Sequence, residues 1–227
     1  FDGGLKASRL VTSHRGLLGY TGTVDGVPVS VQTTMMGTPT TTIVVEELLM
    51  LGVTTLIRVG TCGGFGRLGI GDVVVALGAA SASGIGATLG GGEPTAPTAD
   101  FEVVKALVEA SRAAGLVTHV GPVVTSDVFY DPHPGGAVRW GRRGYLAAEM
   151  ETAAVYLLAM RERAKGRAVR AGTILTVSDV IVDPEANQDV RANSDETWFR
   201  PPEDEVTRRV DLTIGAALTA AAVLGRG

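Results

Sequence analysis

The chain has 227 residues, 45% hydrophobic and 19% charged, which is enough apolar material for one domain with a substantial core. Its formal net charge is −4 and its sequence pI about 5.4, with acids and bases interspersed, so a basic footprint for nucleic acid is excluded. A single cysteine, Cys62, excludes an internal disulfide framework and fits a reducing cytoplasm; no apolar run reaches the roughly 18–20 residues of a membrane helix, and no signal peptide is visible.

Val27 to Thr34 has strand composition, and Thr38 before Pro39 reads as a cap ahead of a first helical proline. Ile43, Val44, Glu47, Leu48 and Leu51 then recur near helical spacing until Gly52. Thr54 to Val59 is the next strand, so strand, helix and strand stand in βαβ order. Asp72 to Gly78 is a second apolar strand. Ser81 to Pro97, rich in Gly, Ala, Ser, Thr and Pro, reads as a long loop of the kind that is often functional. Asp100 to Ala114 has helical periodicity, with Phe101, Val104, Leu107 and Val108 on one face, and Val120 to Thr125 resembles a strand. Ala147 to Ala164 lacks Gly and Pro and is rich in Ala, Leu, Met and Glu, so a helix is predicted throughout. Ala171 to Ser178 is a buried strand, Ile181 to Pro202 a mobile loop with Pro, Asn and many charges, and Glu203 to Leu224 a closing helix. This alternation predicts an α/β fold around a mostly parallel or mixed sheet, with residues 1–227 forming a single domain.

Within this frame a few side chains stand out. GFGRLG, from Gly64 to Gly69, matches a dinucleotide fingerprint, but it leads into a strand rather than a helix and so lacks the helix terminus that would hold a pyrophosphate. No dinucleotide cofactor is expected. Arg58 sits in the middle of an apolar strand, where an unpaired guanidinium is costly, so something anionic should face it. An internal salt bridge to Asp or Glu satisfies that demand; so does a bound phosphate or carboxylate, and the following Gly60-Thr61-Cys62-Gly63-Gly64 exposes amides and a hydroxyl where α/β sheets bind ligands. Glu149-Met150-Glu151 places two carboxylates near a helix start, either as dipole-favoured acids or as a grip on vicinal sugar hydroxyls. Asp179, at a strand's end, is either a turn former or a general acid. Phe129-Tyr130 is either ordinary core or a stacking platform for a planar base.

Taken in order, these pieces resemble the nucleoside phosphorylase-I family, most closely its bacterial hexameric purine nucleoside phosphorylases. The matching runs are His14 to Gly22 (HRGLLGYTG), Ile57 to Gly64 (IRVGTCGG), Ser126 to Tyr130 (SDVFY), Ala148 to Glu151 (AEME) and Thr176 to Asp179 (TVSD). The resemblance implies a three-layer αβα sandwich whose twisted mixed sheet partly closes into a barrel. It also implies phosphorolysis of a purine nucleoside to free base and ribose 1-phosphate, with inorganic phosphate as co-substrate and no cofactor or metal. By the same resemblance Arg58 and Thr61 bind phosphate, and Arg15 reaches the phosphate of a neighbouring subunit. Glu151, Met150, Glu149 and Met36 hold the ribose; Phe129, Cys62, Gly63 and Ser178 line the base. Asp179 protonates the purine, assisted by a downstream arginine assigned to Arg191. A site shared in this way requires at least a dimer, and the resemblance implies a homo-hexamer, a trimer of dimers, in the cytoplasm.

The family's N-terminal strand and Gly-Asp-Pro-x-Arg phosphate loop have no counterpart here and are expected to be missing from this sequence. Met35 stands where relatives commonly carry glycine. Ser13-His14-Arg15 and Ala99-Asp100-Phe101-Glu102 resemble the sister uridine phosphorylases, but the segment from Asp131 to Leu146 has no glutamine to read uracil. The same motifs would also suit a methylthioadenosine phosphorylase or a degenerate nucleoside-binding relative. A hydrolytic nucleosidase would leave Arg58 without an anion.

Overall fold

A computed structural model of the chain describes residues 4–133, 135–183, 198–199 and 203–226. Three strands, β1 (Lys6–Thr12), β2 (Gly19–Val24) and β3 (Val27–Gln32), form an antiparallel sheet of their own. Helix α1 (Thr38–Met50) leads from it to β4 (Thr55–Phe65). Then come β5 (Val73–Ala82), α2 (Gly84–Leu89), α3 (Phe101–Ala113), β6 (Thr118–Ser126), α4 (Val138–Gly141), β7 (Ala147–Glu149) and α5 (Thr152–Ala164). The chain continues through β8 (Arg170–Ile181), β9 (Trp198–Phe199) and α6 (Glu203–Leu224).

The second sheet is mixed and closes on itself. Its strands run in the order β4-β7-β6-β5-β8, and β8 pairs in parallel with β4 to complete a five-stranded barrel, while β9 adds to β8 as an antiparallel spur. Closure gives each of the five strands a partner on both sides.

Helices cover this sheet on two sides, and the sequence shows why. Val73, Val74, Val75 and Ala76 are all fully buried. Val74 and Ala76 join Leu175, Val45 and Leu49 of α1, and Tyr156 and Leu158 of α5. Val73 and Val75 instead join Ile174, Val103 and Leu107 of α3, and Ala216 and Ala220 of α6. Successive strand residues point to opposite faces, so a strand apolar at every position needs a helical layer on each side. Asp100 starts α3 as its cap, accepting hydrogen bonds from the amides of Glu102 (3.1 Å) and Val103 (3.4 Å). No helix among the described residues is long and apolar enough to cross a membrane.

Four expectations are corrected. The βαβ order of residues 27 to 59 does not make a βαβ unit, because β3 pairs only with β2 and lies outside the barrel sheet. The cap of α1 is Gly37 at φ +93°, with Thr38 already helical. The predicted loop from Ser81 to Pro97 contains α2 and the end of β5. The predicted helix from Ala147 starts only at Thr152: Ala147 and Ala148 are drawn into the barrel between Gly64 and Gly63 of β4 and Val123 and Val124 of β6. Pairing on both sides outweighs the helix preference of alanine. Most of the predicted loop from Ile181 to Pro202 lies outside the described residues.

Candidate active site

A cavity of about 340 Å³ opens against the second half of β4 and the last residues of β6, β7 and β8. That volume suits a small-molecule site. Arg58, Thr61, Cys62 and Gly63 line it from β4, Glu149, Met150 and Glu151 from the β7–α5 junction, and Ser178 and Asp179 from β8. Met35, Met36 and Phe129 come from loops. Strand pairing explains the convergence, since Gly63 lies opposite Ala148 on one side and opposite Asp179 on the other.

Arg58 is at the centre. Its Nη2 donates to Glu151 Oε2 and lies 3.1 Å from Glu149 Oε2, with only 12% of the side chain exposed. Burial disfavours the charged guanidinium, but Glu149 and then Glu151 outweigh that penalty and hold its pKa above the usual arginine range. Its Nη1 is buried and has no hydrogen-bond partner among the described residues.

The two carboxylates differ in how fully they are used. Glu149 Oε1 accepts from the Thr125 hydroxyl, and its Oε2 accepts from the amides of Glu151 (2.9 Å) and Thr152 (2.8 Å). It therefore ties the start of α5, where a negative charge is favoured by the helix dipole, to β6 and Arg58. Thr125 Oγ1 also accepts from the Ala153 amide at 2.9 Å, which closes the bracket. Glu151 Oε1 accepts from the Gly37 amide at 2.5 Å, and Oε2 takes the Arg58 bond. A carboxylate offers about four acceptor positions, so Glu151 retains acceptor capacity.

Asp179 presents the opposite chemistry. Its Oδ1 accepts from the Ser178 hydroxyl at 2.7 Å, while Oδ2 is buried without a hydrogen-bond partner among the described residues. A Cβ at Gly63 would stand 2.9 Å from that oxygen, so the bare backbone of Gly63 makes room for the carboxyl group. Cys62 is buried beside it, its Sγ 3.7 Å from the carbonyl oxygen of Thr176, and burial pushes its thiol pKa up. It is a neutral wall of the cavity rather than a nucleophile.

The remaining residues are more open. Phe129 and Tyr130 meet edge to face at 5.0 Å and are exposed, so they are not core aromatics. Met36 is 77% exposed. Met35 adopts φ +59°, a left-handed conformation disfavoured for a side chain and suited to glycine. Met35→Gly is expected to stabilise the fold by about 1 kcal/mol, raising the thermal midpoint by about 2–4 °C at this chain length. A lower midpoint on thermal unfolding would show that side-chain contacts outweigh the backbone cost.

Arg15 lies elsewhere, exposed in the 3₁₀ turn His14–Gly16 with φ +55°, and does not line the cavity. Arg191 lies outside the described residues. Sequence reasoning passed over Trp140, which lines the cavity from α4 with Tyr145 edge-on at 5.1 Å and the Arg143 guanidinium over its ring at 5.1 Å. Its signal was a large aromatic in the segment from Asp131 to Leu146, where a stacking platform was not expected. Thr125 and Gly37, which hold the two glutamates, carried no sequence signal. Among the described residues no group of three or more His, Cys, Asp or Glu side chains is arranged to hold a metal ion.

The chain is similar in sequence to known proteins. A protein of Geobacillus kaustophilus called purine nucleoside phosphorylase DeoD-type is 44% identical over 173 residues, covering 75% of this chain and 71% of its own length. Proteins with the same name from Clostridium perfringens (39% over 207 residues, covering 90% of this chain and 82% of the relative) and Alkaliphilus metalliredigens (41% over 170 residues, 74% and 71%) are similar. The sequence profile of the phosphorylase superfamily matches residues 5–201, and the chain belongs to that superfamily.

Proposed function

We propose that this protein is a purine nucleoside phosphorylase, which converts a purine nucleoside and inorganic phosphate into free base and (deoxy)ribose 1-phosphate in nucleoside salvage. The observation that carries the reading is that Arg58 and Asp179 line one cavity and that each keeps a buried polar atom, the cationic donor Nη1 and the acid oxygen Oδ2, with no hydrogen-bond partner among the described residues. The names of the relatives support it.

The chemistry asks for these two groups. As the bond between C1′ and purine N9 breaks, positive charge develops on the sugar and negative charge on the base. Phosphate, held by Arg58 and Thr61, supplies the electron pair that forms the new C1′–O bond. Asp179 gives its proton to purine N7, so that the base leaves neutral. Glu151 accepts hydrogen bonds from the ribose 2′ and 3′ hydroxyls with its remaining lone pairs, and Met150 and Met36 cover the sugar. Glu149 fastens Arg58 and the start of α5. Phe129, Cys62, Gly63 and Ser178 surround the purine. Phosphate is itself the nucleophile, so no enzyme nucleophile, metal or organic cofactor enters the cycle.

Arg191 assisting Asp179, Arg15 serving a neighbouring subunit, assembly as a homo-hexamer and a cytoplasmic location belong to the same reading. The test is base release from inosine, guanosine, adenosine, methylthioadenosine and uridine, each with and without phosphate. Rapid release from at least one of inosine, guanosine and adenosine, and only with phosphate, is expected. Equal rates without phosphate would make the enzyme a hydrolase. A preference for uridine or methylthioadenosine would assign it to a sister activity, and no release from any substrate would leave a nucleoside-binding protein.

A further inference from the structure

Arg58 and Gly60 are two residues apart on β4 and therefore share a face. The guanidinium folds back along its own strand over Gly60: a Cβ there would stand 2.6 Å from Arg58 Nη1 and 3.1 Å from both Cζ and Nη2. A flexible side chain could move aside, but this one cannot do so freely. Its Nη2 is held by Glu149 and Glu151, which are anchored in turn by the Thr125 hydroxyl and the amides of Gly37, Glu151 and Thr152. Nor is the strand free to shift, since Gly60 pairs with Leu175 of β8 inside the closed barrel.

We propose that Gly60 is a positioning residue for phosphate: its missing side chain creates the space in which the Arg58 fork lies flat, keeping Nη1 aimed while Nη2 stays on the glutamates. Gly60 acts through Arg58 and need not touch the substrate. The inference rests on the phosphorylase reading, in which Nη1 serves phosphate. Because the glutamates hold Nη2, a methyl group at position 60 must push the rest of the fork away from the anion, and displacements of this size at a reacting centre carry large penalties.

The experiment is a mutant cycle on the full chain, with inorganic phosphate varied at saturating purine nucleoside. Gly60→Ala is expected to raise the KM for phosphate roughly 10-fold or more, with the KM for nucleoside within about 2-fold of the starting value. Arg58→Lys keeps the charge opposite the glutamates but lacks Nη1, so it should raise the phosphate KM by itself. Adding Gly60→Ala to Arg58→Lys should then change that KM by less than about 2-fold, because nothing remains for the methyl group to displace. An equal penalty in both backgrounds, or none in the original one, overturns the proposal. Should Gly60→Ala alone fail to fold, recovery of a folded protein in the double variant supports the clash with Arg58, and failure of both overturns it. If Arg58→Lys leaves the phosphate KM unchanged, the phosphate role of Arg58 falls first and this inference with it.

Discussion

Arg58→Ala is expected to abolish efficient use of phosphate, raising the concentration required for half-maximal base release by about 100-fold or more, in line with loss of a charge-assisted donor worth roughly 3 kcal/mol. It should also lower stability by about 3–5 kcal/mol, because removing one member of a buried ion cluster leaves the others unpaired. The two effects have separate origins. Nη2 pairs with Glu149 and Glu151 within the fold, whereas Nη1 has no hydrogen-bond partner among the described residues. A purely structural arginine would produce only the second effect. Phosphate titration and thermal unfolding of the same variant therefore decide between them: a lower midpoint with unchanged phosphate dependence would reduce Arg58 to an internal ion pair.

Asp179→Asn should lower kcat by roughly 10²- to 10⁴-fold, the range for removal of a positioned general acid. The KM for phosphate should stay within about 2-fold, since Asp179 acts at the base. Asparagine nearly preserves the shape, and its oxygen can still accept from the Ser178 hydroxyl that holds Oδ1 at 2.7 Å. What it lacks is a transferable proton. A variant retaining full kcat would rule out Asp179 as the proton donor.

Much of this site was legible in linear order. An arginine in an apolar strand demands an anion, a glycine-rich turn offers amides, and paired acids beside a methionine suit a sugar. Those residue types followed one another in the order a phosphorylase would have. Sequence could not say which anion meets Arg58: Glu151, 93 residues downstream, occupies Nη2, while Nη1 has no hydrogen-bond partner among the described residues. Nor could it show that Glu149 spends its oxygens on Thr125 and two helix amides.

Local pattern placed β3, α1, β4, β5, α3, β6, α5, β8 and α6, because periodicity and composition act between near neighbours in the chain. Tertiary structure alone decided that β3 stands outside the barrel, that Ala147 and Ala148 become strand, and that β8 closes onto β4. Strand pairing joins residues far apart in sequence, and the energy of such contacts depends on partners that a linear pattern does not name. The cavity exists only after that closure, which brings Arg58, Glu149, Glu151 and Asp179 around one space.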